Sequence, residues 1–197
     1  MNRKHSRIVI ASLPGLAALF FFGCSKAKNP EVTATPAPSS SAPSADASFA
    51  CSLLTADEVR AVQGEPFKST KPSQGTGPGL DVSQCYFELP MPVNSIVVTV
   101  TRKAAGPNSR NPSENWREIF YGEHPKENEE GEGKGKGPEK VEGVGDEAFW
   151  TGTRIGGALY VLKGNAYLRI SVGGAGDQAQ KIEKCKTLAA AALKRLP

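Results

Sequence analysis

Apolar residues recur along this chain with three spacings, and each predicts a different kind of element. The first spacing is continuous. Ile8–Phe22 carries no charge and follows Arg3, Lys4 and Arg7. A membrane-crossing helix needs ~20 apolar residues, whereas this run is shorter and is interrupted by Pro14-Gly15. A basic start, a short apolar stretch and a small residue before Cys24 predict an export signal over residues 1–23.

The second spacing is helical. Thr55 and Glu58 stand at capping-box distance, and Leu54 and Val59 occupy the staple positions around them. Gly64 is placed to end that segment in a left-handed conformation and Pro66 forbids its return, so Ala56–Gln63 reads as a short helix. Asn111-Pro112-Ser113-Glu114 opens another, with a capping side chain, Pro at the first helical position and an acid in the first turn. Trp116, Ile119 and Phe120 share its inner face. A long C-terminal helix from Gln178 to Leu196 follows Asp177 and buries Ile182, Cys185, Leu188, Ala189, Ala192 and Leu196.

The third spacing is alternation. Ile96, Val98 and Val100 interleave with Val97, Thr99 and Thr101, and Leu168, Ile170 and Val172 with Arg169 and Ser171. Strands are expected at Gln84–Glu88, Val93–Thr101, Ala148–Thr153, Ala158–Lys163 and Ala166–Val172, the last two joined by a Gly164-Asn165 hairpin turn. Lys68–Asp81, rich in Gly, Pro, Ser and Thr, reads as a long loop, and Gly122–Lys140 as a flexible charged one. The order predicts an α+β fold: an antiparallel sheet of about five strands with packed helices and a long C-terminal helix. Residues 24–49, rich in Pro, Ala, Ser and Thr, form a disordered tether, and 50–197 a single domain.

Charge narrows the range of partners. The net charge is +4, but three of the 24 basic residues lie in the export signal and 20 acidic residues balance the rest. Nucleic-acid binding would need a basic face, which this near-neutral mature chain lacks.

The four cysteines fit an oxidising compartment. With Cys24 set aside as the anchor, three remain, and the preferred pairing is Cys51–Cys85. A bridge through Cys185 stays the alternative, because sequence does not fix connectivity. No cofactor or metal is expected: there is no close cysteine pair, and His124 is the single histidine beyond the signal. His124 stands in the charged loop, a poor setting for catalysis. Trp116 could offer a stacking platform, but its helical spacing favours the core. Gly143-Val144-Gly145-Asp146-Glu147-Ala148 has the letters of a dinucleotide fingerprint without the strand before it or the helix after it. Asp146 and Glu147, adjacent in an extended segment, point to opposite sides and form no carboxylate pair. Asp177 occupies the amides at which its helix could otherwise hold an anion.

Gly23-Cys24 after the apolar run resembles a bacterial lipobox, although Phe21 and Phe22 stand where that pattern prefers Leu and a small residue. The resemblance implies lipidation of Cys24. Buried acyl methylenes contribute ~0.8 kcal/mol each, and stable anchoring takes more than one chain. The Cys51-Ser52-Leu53-Leu54-Thr55 opening, Cys85-Tyr86 and the Gly145-Asp146-Glu147-Ala148 segment resemble small bacterial lipoproteins of unknown function. A fainter likeness is to PsbP-like extracytoplasmic domains, at the level of fold. These resemblances imply a lipid-anchored envelope protein and supply no catalytic residue. The expected function is a non-catalytic binding or accessory module whose partners are the membrane, through its lipid, and an envelope protein or small-molecule ligand. The alternatives are an envelope hydrolase, which would need a nucleophile–base pair or paired carboxylates, and a purely structural envelope protein.

Overall fold

The computed structural model describes residues 48–122, 137–152 and 156–196; Cys24, residues 25–47 and His124 lie outside them. The described chain begins with a 3-10 turn, Phe49–Leu53, and enters α1, Ala56–Gln63. The capping box forms as its spacing requires: the Thr55 amide donates to Glu58 at 2.8 Å, and the Glu58 amide donates back to the Thr55 hydroxyl. Gly64, at φ 86°, closes the helix.

Seven strands follow the order β1-β2-β3-β7-β6-β5-β4, every neighbouring pair antiparallel. They are β1 (Ser69–Gly77), β2 (Leu80–Glu88), β3 (Ile96–Lys103), β4 (Glu139–Lys140), β5 (Glu147–Gly152), β6 (Gly157–Lys163) and β7 (Ala166–Val172). The remaining helices are α2, Pro112–Tyr121, and α3, Gln178–Leu193.

The α+β class and the long C-terminal helix hold, but the sheet has seven strands rather than about five. Most of the expected loop Lys68–Asp81 is strand. β1 takes its ladder from β2, in a register that runs from Ser69 opposite Glu88 to Gly77 opposite Leu80. Its Gly, Pro and Lys residues have low β propensity, and Pro72 is tolerated because this is an edge. The second addition, β4, pairs two residues inside the expected loop Gly122–Lys140 with β5. Conversely, Pro92–Asn94 forms a 3-10 turn, so β3 begins at Ile96 and not at Val93. The last helix ends at Leu193, three residues short of Leu196.

One face of the sheet carries the main core. Phe87, Ile96, Val98, Val100, Leu159, Val161, Leu168 and Ile170 are fully buried there against Val59 of α1 and Cys185, Leu188, Ala189 and Ala192 of α3. A disulfide joins Cys51, in the first turn, to Cys85 on β2, with an S–S distance of 2.03 Å. Cys185 is a buried free thiol. Its Sγ lies 3.5 Å from the Ile170 carbonyl. The other face is covered over β5, β6 and β7 by α2, where Trp116, Phe149 and Tyr167 form a second, aromatic core. No helix among the described residues is long and apolar enough to cross a membrane.

Candidate functional site

The seam between α2 and β5 brings together the side chains with the most chemistry. The sequence starts α2 firmly: Asn111 Oδ1 accepts the Ser113 amide at 2.9 Å and the Ser113 hydroxyl at 2.7 Å, with Pro112 at the first position. That start fixes the rotation of the helix. Trp116 faces the sheet and is 1 % exposed. Its ring packs against Phe120 at 4.3 Å, Tyr167 at 5.7 Å and Phe149 at 6.0 Å between centroids. Its faces are therefore core, not a platform for a ligand.

The indole edge has a different role. Trp116 Nε1–H donates to Glu147 Oε2 at 2.6 Å, and the Tyr121 hydroxyl donates to Glu147 Oε1. Glu147 opens β5, opposite Leu162 of β6, on the face that α2 covers. Two neutral donors, five residues apart on one helix, thus fix a single half-buried carboxylate. That hydrogen bond to a carboxylate pushes the Tyr121 phenol above its ordinary pKa, because ionising it would set two anions together. Ser113, Trp116, Arg117, Tyr121, Glu147 and Leu162 line a cavity of about 470 Å³ around this group.

The preceding residue belongs to a different construction. Asp146 accepts the Gly164 amide at 2.7 Å and pairs with Lys163 at 2.9 Å, and its own amide donates to the Leu162 carbonyl at 2.8 Å. The Gly164 amide, then Lys163, holds its carboxyl below the ordinary value. Gly145 permits this turn: it sits at φ 64°, and a Cβ there would collide with Val161 Cγ1 and the Leu162 carbonyl. The glycine-rich segment therefore clasps the β6–β7 hairpin and offers no phosphate cradle. Asp146 and Glu147 serve opposite sides, as an extended backbone requires.

The other sequence candidates are also occupied. Asp177 Oδ1 accepts the Gln180 amide at 2.8 Å and completes a capping box. Burial pushes the Cys185 thiol up to about 12, so it is neither a nucleophile nor a ligand at neutral pH. Among the described residues no group of three His, Cys, Asp or Glu is placed to hold a metal. A larger recess of about 640 Å³ lies at the end of α1, between Gln63–Glu65 and the Pro90–Asn94 turn. Gln63 there is fully engaged: it donates to the Asn94 and Gly173 carbonyls and accepts from Lys184.

Glu147 is the candidate site residue that sequence reasoning did not single out for binding. The carboxylate and its two donors lie 31 and 26 positions apart. No local spacing links them; only the antiparallel path through β5 and the helix above it does. Comparison with protein-family models, with curated proteins and with solved structures finds no match for this chain.

Proposed function

We propose that this protein is a non-catalytic binding or accessory module of a bacterial envelope, exported by residues 1–23, lipid-anchored at Cys24, and carried on the tether that precedes residue 50. The observation that carries the binding reading is the carboxylate of Glu147, held in place by Trp116 and Tyr121 at the wall of a cavity. A recognition site needs a few polar groups whose positions are set in advance by packing, and the buried Trp116 supplies that support. The neighbouring chemistry favours binding over hydrolysis. Ser113 donates its hydroxyl to Asn111, so Glu147 is not its activating base. Asp146 is committed to the hairpin. The anchor reading draws on the apolar run and on Gly23-Cys24.

The test has two arms in intact cells. The full chain should sediment with membranes and the Cys24→Ala chain should not; an unmodified Cys24 in the mature N-terminal peptide sinks the anchor. A photo-crosslinking residue in place of Arg117, exposed at the rim of the cavity, should give a discrete adduct that one in place of Asp57 on α1, away from the cavity, does not. Identical labelling from both positions sinks the binding site.

A further inference from the structure

We infer that the cavity between α2 and β5 receives an alkylammonium group, carried either by a free amine or by a lysine side chain. The inference rests on the binding-module reading and names the chemistry of its ligand. A carboxylate offers about four acceptor positions. Trp116 occupies one on Oε2 and Tyr121 one on Oε1, which leaves each oxygen with acceptor capacity. Both donors are neutral, so neither balances the negative charge of Glu147. Lys163 pairs with Asp146 and Arg110 with Glu118, and Arg117, which lines the same cavity, makes no ion pair with Glu147. Among the described residues Glu147 has no ion pair.

An ammonium group fits what remains. It brings three donors and a compact positive charge to one fixed carboxylate. Leu162 and the exposed ring of Tyr121 give its alkyl stem an apolar wall, and an aromatic face attracts a cation. A hard divalent cation is the poorer occupant, since it takes six or more oxygen ligands and the lining offers one carboxylate with the hydroxyls of Ser113 and Tyr121. Arg117 also lines the cavity and carries the charge that a cationic ligand would oppose. It sets a limit on affinity, and its removal should strengthen binding. That sign separates a specific cation site from general apolar uptake.

The experiment is an NMR titration of the 15N-labelled full chain in neutral detergent with n-butylammonium, and with n-butanol as its uncharged counterpart. Butylammonium should shift the Trp116 indole N–H and the Leu162 amide, and butanol should leave both in place. Glu147→Gln should weaken binding about tenfold, a loss of about 1.4 kcal/mol. Arg117→Gln, at an exposed position that leaves the fold intact, should tighten it severalfold. Nα-acetyl-lysine amide distinguishes the sources: tighter binding than butylammonium assigns the site to a lysine side chain, equal or weaker binding to a free amine. Equal shifts from butanol, no shift from butylammonium, or an Arg117→Gln chain that binds no better overturns the inference. Those failures leave the binding-module reading to be judged by the Arg117 crosslink alone.

Discussion

The indole of Trp116 donates to Glu147 Oε2 at 2.6 Å, across the seam where α2 lies on the sheet. A hydrogen bond to a charged acceptor contributes ~1.5–3 kcal/mol, more than a neutral one. Trp116→Phe keeps an aromatic ring in the cluster and removes the donor. It should cost roughly 2–3 kcal/mol in urea unfolding, through the lost bond and the smaller ring. With Glu147→Gln in a double-mutant cycle, a coupling of about 0.5–3 kcal/mol is expected. Additive single effects would mean that the two residues are neighbours without an energetic link.

Cys51 and Cys85 tie the first turn to β2 across 34 residues. The bridge should contribute ~2–4 kcal/mol, chiefly by restricting the unfolded chain. For a domain of this size that corresponds to a fall in Tm of roughly 5–15 °C when both are changed to Ser. A thermal melt with and without reductant checks this. Non-reducing peptide mapping should join Cys51 to Cys85 and leave Cys185 as a thiol.

The helices were legible in the sequence because their signals are local. Thr55 with Glu58, Asn111 with Ser113, and Asp177 with Gln180 each act over two or three residues, and each cap forms. The Gly164-Asn165 turn is equally local, and β6 and β7 pair around it. β1 was hidden because its pairing comes from β2 and not from its own residues, whose Gly, Pro and Ser content reads as loop. The same reason hides the site. A tryptophan at a core position announces burial, but which carboxylate meets its N–H is decided by the register of β5 against β6.

Cys185 should be chemically silent in the folded chain. A thiol reagent at pH 8 should label it only after denaturation. Burial raises its pKa from 9.0 to about 12. Above pH 9 the unfolded chain releases this proton while the folded chain keeps it. Stability therefore falls as pH rises from about 9 towards 12, and below that window the ionisation of this thiol has no effect on stability. Cys185→Ala should remove that part of the alkaline loss, at the cost of a small cavity under α3. Urea unfolding at pH 8 and pH 10 measures the difference, and an equal slope in both chains would show that the thiol is not the group responsible.

Two glycines beside the site test how its floor is held. Gly143 and Gly145 both have positive φ, 83° and 64°. Alanine at either should cost ~1–2 kcal/mol for the left-handed backbone. A Cβ at Gly143 meets open space, whereas at Gly145 it lies 2.5 Å from the Leu162 carbonyl and overlaps Val161. Gly145→Ala must therefore move the segment away from β6, and overpacking of this kind adds ~1–3 kcal/mol. The displacement also strains the Asp146 clasp on Gly164 and Lys163. The Asp146 carboxyl, held below its ordinary 3.8 by those partners, should titrate closer to that value in the Gly145→Ala chain and stay low in Gly143→Ala. Because its pKa is depressed in the folded chain, the stability that Asp146 contributes is present above about pH 4 and is lost as the pH falls further. The Gly145→Ala chain should lose less of its remaining stability on acidification than the Gly143→Ala chain. Equal acid sensitivity of the two would mean that the clasp survives the added methyl group and that the floor of the site is held by Glu147 and α2 alone.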